Sequence, residues 1–164
     1  MRHLLVAVAL SMLPLTAAAA GLGPTKPSQL VSAYTFGPCP IPGHTGSNSV
    51  RLSKLVGSDG TTTDLAIPPK KVLVITDAVA ATGAAQTGNV IISTIVVGSQ
   101  AEGNLVAARF DTATAGGVVT APFEFPSGIA VRSGSTVCIE TLNLSVGGFT
   151  GTSSFVHGYF AADK

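Results

Sequence analysis

Hydrophobic and polar positions fall into short runs broken by turn residues, and no run keeps a helical period. Residues 50–56 end at Ser58-Asp59-Gly60, a strong hairpin signal. Residues 61–67 alternate until Pro68-Pro69 stops them. Residues 72–79 are almost wholly apolar, and Gly83 and Gly88 bracket the next connection. Residues 90–97 are again nearly continuous in apolar side chains, and Ala101-Glu102-Gly103-Asn104 turns the chain. Runs at 105–110 and 118–125 flank Ala115-Gly116-Gly117. Pro126-Ser127-Gly128 turns into 129–131, Ser133-Gly134-Ser135 leads into 136–144, and Gly147-Gly148 precedes a last strand at 155–160. The spacing predicts roughly eight to ten short strands and an all-β fold, an antiparallel β-sandwich of jelly-roll-like type. No exact internal repeat supports a propeller or solenoid.

Two of these runs are apolar on both faces. Val72 and Val74 alternate with Leu73 and Ile75, and Val90-Ile91-Ile92 and Ile95-Val96-Val97 behave alike. An antiparallel sheet with one wet face alternates apolar with polar, so both faces of these strands want cover. Either the Pro-rich arm and loops shield them, or the outer face of the sheet is a subunit interface.

The chain begins with a segment that does not belong to this pattern. Arg2 and His3 precede an apolar run at 4–15, and Ala17 to Ala20 supply small side chains. That order is that of a cleavable secretory signal over 1–20, with Ala18-x-Ala20 before Gly21 the expected cut. A dozen helical residues rise roughly 18 Å, short of a ~30 Å hydrocarbon core, and Pro14 interrupts the run. The mature chain is expected to be secreted, periplasmic or on the cell surface, with no transmembrane segment. Residues 21–49 carry Pro24, Pro27, Pro38, Pro40 and Pro42 and read as an extended arm or loop. Prolines at that density argue against a central strand there. The sandwich domain is expected over 50–164.

Charge changes the picture mainly by exclusion. Charged residues are 10% of the chain, against about 25% in ordinary domains. Beyond residue 20 the eight basic and eight acidic residues cancel and are scattered singly. No basic stripe exists to release counterions from nucleic acid or to hold an anionic membrane. Cys39 and Cys138 are the only cysteines, and an even count in an exported chain reads as one disulfide, the other reading being two buried thiols.

Ser133-Gly134-Ser135-Thr136-Val137 opens a strand, and a Gly-rich connection then leads to Ser154-Phe155-Val156-His157-Gly158-Tyr159-Phe160. This resembles the end of the C1q/tumour-necrosis-factor-like jelly roll, over about 30 residues. The resemblance implies a ten-strand sandwich, trimeric assembly and a protein- or glycan-binding role. The chain departs from that family's aromatic core, with no Trp and 5% aromatic residues.

A reactive centre is hard to assemble from what remains. His44 and His157 are the only histidines beyond residue 20, and Gly-x-Ser-x-Gly is missing. Their separation does not match metal-ligand spacing, and neither a metal nor a cofactor is expected. Asp77 and Glu140 stand out because each interrupts an apolar strand; Glu140 needs a partner such as Arg109 or Arg132, or solvent. Asn143-Leu144-Ser145 is formally a glycosylation sequon within a strand. The side chains expected to face a ligand are Tyr34, His44, Phe149, His157 and Tyr159, with Phe36 a further aromatic. The function expected is non-enzymatic: binding of a protein or glycan together with self-association. The alternatives are a structural subunit of a surface fibre or layer, a small secreted hydrolase using His44, His157, Asp77 or Glu140, and an outer-membrane barrel. The barrel reading fits poorly with so little Tyr and no Trp.

Overall fold

The computed structural model describes residues 30–57, 59–85, 87, 90–99, 103–113, 117–143 and 150–163. The expected signal at 1–20, the first part of the expected arm and Phe149 lie outside the described residues. Among the described residues nine strands run in chain order: β1 Leu30–Pro38, β2 Ser49–Val56, β3 Thr62–Asp64, β4 Lys71–Ala85, β5 Val90–Ser99, β6 Gly103–Ala113, β7 Gly117–Arg132, β8 Thr136–Asn143 and β9 Thr150–Ala162. All pairings are antiparallel, in the order β6-β5-β8-β2-β1-β9-β4-β7, with β3 attached to β2.

Setting β3 aside, the first strand pairs with the last, the second with the last but one, and so inward: β1 with β9, β2 with β8, β4 with β7, β5 with β6. The chain is one long eight-stranded hairpin folded over on itself. Folding lays β9 against β4 and β8 against β5. That is the jelly-roll order, and it rolls the sheet nearly closed so that few strand edges stay open. One layer is β1-β9-β4-β7, the other is β6-β5-β8-β2, and the β1–β2 pair joins them.

The core lies between the layers, where alternate residues of each strand meet. Val31, Ala33, Leu73, Ile75, Val131 and Val156 from the first layer pack with Leu52, Ile95, Val137 and Ile139 from the second. Each fully buried Val, Leu or Ile contributes about 1.5–3 kcal/mol. The Cys39–Cys138 disulfide is formed, with Cα atoms 5.8 Å apart, and ties the end of β1 to β8 across 99 residues of sequence. By chain-entropy arithmetic a loop of that length contributes up to about 4–5 kcal/mol.

β4 is interrupted at Thr76. Its register jumps from Ile75 to Asp77 against both β7 and β9. The extra residue flips the alternation: Leu73 and Ile75 face the core before it, Ala78 and Ala80 after it. Asp77, which an unbroken strand would bury, is thereby turned outward. β9 makes room for this bulge with Gly158, where an added Cβ would lie 2.1 Å from the Val74 carbonyl oxygen and 3.1 Å from Ile75 Cα.

Several expectations are corrected. β1 lies inside the segment read as an arm, and it is a central strand paired on both sides. Of the prolines that argued against it, Pro24 and Pro27 precede it in sequence and Pro38, Pro40 and Pro42 fall at its end and beyond; Leu30 to Gly37 contain none. The run at 61–67 holds only the three-residue β3. Pro126-Ser127-Gly128 does not separate two strands. It forms an excursion within β7, where residues 125–128 stand opposite Thr76 alone, and Gly128 takes φ +66°.

The two doubly apolar strands are covered differently. Val96, on the outer face of β5, is sealed by Cys39, Ile41 and Cys138, so the chain after β1 acts as the shield. On β4, Val72 and Val74 are covered by Ala161 and Tyr159, whereas Val79 is only half-buried.

The Ser58-Asp59-Gly60 signal does mark the β2–β3 hairpin. Thr61 donates to Asp59 Oδ1 through its hydroxyl (2.7 Å) and its N–H (2.9 Å), holding that carboxyl below its ordinary value. Because the folded value is lowered, these bonds are present at neutral pH and fade as pH falls through it.

Gly158→Ala is expected to destabilise the fold by about 1–3 kcal/mol or more, since backbone must move to admit the methyl group. Urea denaturation against the parent chain measures this; an unchanged midpoint would contradict the close approach of β9 to the bulge.

Candidate functional site

The outer face of the layer β1-β9-β4-β7 carries three of the five side chains expected to face a ligand. Cross-strand register sets them in rows. One row runs Leu30, Tyr159, Val74, Ala130. The next runs Ser32, His157, Asp77, Glu124. The third runs Tyr34, Phe155, Val79, Pro122. Leu30 is 63% exposed and Phe155 45% exposed. The Tyr34 and Phe155 rings meet at 5.9 Å between centroids, tilted by 42°. Beyond them Phe36 is 64% exposed, with Lys54 Nζ 5.6 Å from its ring centre. The result is an apolar surface crossed by one polar row.

That polar row exists because of the Thr76 bulge. Asp77, turned outward, accepts a hydrogen bond from His157 Nδ1 at 2.5 Å. The Thr76 hydroxyl lies 3.1 Å from Asp77 Oδ2 and 3.2 Å from the His157 carbonyl oxygen, which steadies both. The carboxylate on Nδ1 fixes the imidazole's orientation and leaves Nε2 as its other polar atom.

His44 sits elsewhere. It lies in the loop between β1 and β2, over the outside of the other layer, and His44 Nδ1 donates to Glu140 Oε2 at 2.9 Å. Each of these side chains is 19% exposed. The partner of Glu140 is therefore His44 and not Arg132, which instead lies 3.9 Å from Asp163. The two acids that interrupt apolar strands are thus each bonded to one of the two histidines. Spacing along the chain does not reveal this, because 80 residues separate Asp77 from His157 and 96 separate His44 from Glu140.

Both pairs have a serine in register. Ser32 stands opposite His157, and Ser49 stands opposite Glu140. Among the described residues, no hydrogen bond joins either hydroxyl to an imidazole nitrogen. Ser49 is also 1% exposed, out of reach of a substrate. A general base acts only within hydrogen-bond reach of the proton it takes. No group of three His, Cys, Asp or Glu side chains able to hold a metal occurs among the described residues. What the geometry supplies is two orienting pairs, one on an apolar face and one pinning a loop.

Glu140→Ala is expected to cost about 1–3 kcal/mol, because it leaves the partly buried His44 without its acceptor. Asp77→Ala, on the open face where His157 is 50% exposed, should cost no more than about 1 kcal/mol. Thermal denaturation of the two variants checks the order; a larger loss at Asp77 would reverse the assignment. No protein-family model matches the chain and no curated protein matches it, so these residues are read from their own geometry.

Proposed function

We propose that the chain is an exported, non-enzymatic β-sandwich that works by binding and self-association through the outer face of β1-β9-β4-β7. The observation that carries this reading is the apolar surface of exposed Leu30 and Phe155 with half-buried Tyr34 and Val79, continuous across three strands. Contiguous apolar patches mark interaction sites, and aromatic side chains at their centre supply most of the binding energy. The polar row within it carries acids, Asp77 and Glu124, beside a base, His157, so one copy offers what a second copy needs. Weak repulsion between copies follows from balanced charge beyond residue 20. The tilt between the Tyr34 and Phe155 rings favours a protein surface over the flat stacking a sugar ring wants.

Export rests on the signal read at 1–20, and a disulfide suits an oxidising compartment. Trimeric assembly is what the resemblance to C1q/tumour-necrosis-factor-like domains implies, and a closed ring would cover this face once per copy.

Native mass measurement of the secreted, non-reduced protein tests the reading. A discrete small oligomer is expected, together with cleavage near Ala20. Phe155→Asp should weaken association by about 2 kcal/mol or more while leaving the thermal midpoint of the separated chain unchanged. A monomer at every concentration would overturn self-association. Long filaments in place of a closed oligomer would favour the fibre-subunit alternative.

A further inference from the structure

A second site lies in the other layer, where the edge of β2 changes partner. β8 pairs with β2 only at Ser49, Val50 and Arg51. From Lys54 onward β3 takes that edge, and the Leu65 N–H donates to the Ser53 carbonyl at 2.8 Å. Between them the linker 65–67 and the start of β8 diverge, leaving a cavity of about 290 Å³. Ligand pockets run from roughly 300 Å³ upward, so this one suits a small molecule or the end of a chain.

The lining has two parts. Leu65, Ile67 and Val137 make an aliphatic wall, and Arg51, Ser135 and Thr136 make a polar one. The Ser133 hydroxyl donates to the Ile67 carbonyl at 3.0 Å, which fixes the linker to the β7–β8 turn. Arg51 is exposed and makes no ion pair among the described residues. Asp64, whose carboxyl is held below its ordinary value first by its hydrogen bond to Lys54 and only last by Arg51, is bonded to Lys54 at 2.5 Å. One positive charge thus remains at the mouth of an aliphatic cavity.

We propose that this cavity binds a small carboxylate bearing a branched aliphatic group. The carboxylate meets the Arg51 guanidinium, which presents paired donors to two oxygens, and the Ser135 and Thr136 hydroxyls complete its shell. The aliphatic group lies on Leu65, Ile67 and Val137. The same chemistry is offered by a free acyl-amino acid and by the C-terminus of a peptide. The site is separate from the apolar outer face, and it does not depend on self-association.

Methyl-detected NMR titration with N-acetyl-leucine tests it, with N-acetyl-leucinamide as the uncharged control. The acid should shift the methyl signals of Leu65, Ile67 and Val137, and the amide should bind at least about tenfold more weakly, as expected for loss of a hydrogen bond to a charged group. Arg51→Gln should weaken the acid by about the same factor. A short peptide ending in leucine distinguishes the sources: binding as tight as the free acid assigns the site to a chain end, and exclusion of the peptide assigns it to a small molecule. Equal shifts with acid and amide, unperturbed methyl signals, or full affinity in Arg51→Gln would each overturn the proposal.

Discussion

The close approach of β9 to the Thr76 bulge of β4 is the contact on which the rest of this structure depends. Gly158 has no side chain, so its backbone can sit against the Val74 carbonyl and Ile75. That lets β9 run between β1 and β4, which is the step that folds the long hairpin into two layers. The same bulge reverses the parity of β4. Leu73 and Ile75 serve the core on one side of it and Ala78 and Ala80 on the other, while Asp77 is delivered to the outer face beside His157. A single inserted residue thus shapes the core and places the His157–Asp77 row on the apolar face.

Much of the fold was legible in the run of apolar and polar positions. Runs at 50–56, 72–79, 90–97, 105–110 and 136–144 mark β2, β4, β5, β6 and β8, because β-branched side chains bounded by Gly and Ser turns describe local preference faithfully. The errors have local causes too. Pro38, at the end of β1, stands at a register irregularity, and Leu30 to Gly37 contain no proline. Pro126 and Gly128 look like a turn, but they are absorbed as an excursion because β4 continues past them. Whether a turn signal ends a strand or only bends it is decided by the neighbouring strand, which lies far away in sequence.

The site was legible as residue types and not as partnerships. Tyr34, His157 and Tyr159 share one face, and His44 belongs to the opposite side of the sandwich. Asp77 and Glu140 were visible as anomalies in apolar strands, and the histidines as the only ones available. Their pairing is a product of topology: β9 meets β4, and the β1–β2 loop folds over β8. The alternation in β4 did carry a trace of the bulge, since apolar residues at 73 and 75 give way to small ones at 78 and 80. Of the two explanations for doubly apolar strands, cover by the chain after β1 holds for β5. Cys39 and Ile41 shield Val96 there, and Val79 on β4 is half-buried between Phe155 and Pro122.

The measurement that bears most directly on this account is hydroxyl-radical footprinting of the native protein across a range of concentrations. Leu30, Tyr34, Phe155 and Tyr159 should become protected together as concentration rises, while Leu142, exposed on the other layer, stays equally reactive. Equal reactivity of the four residues at every concentration would contradict the claim that this face is where the protein meets a second copy of itself.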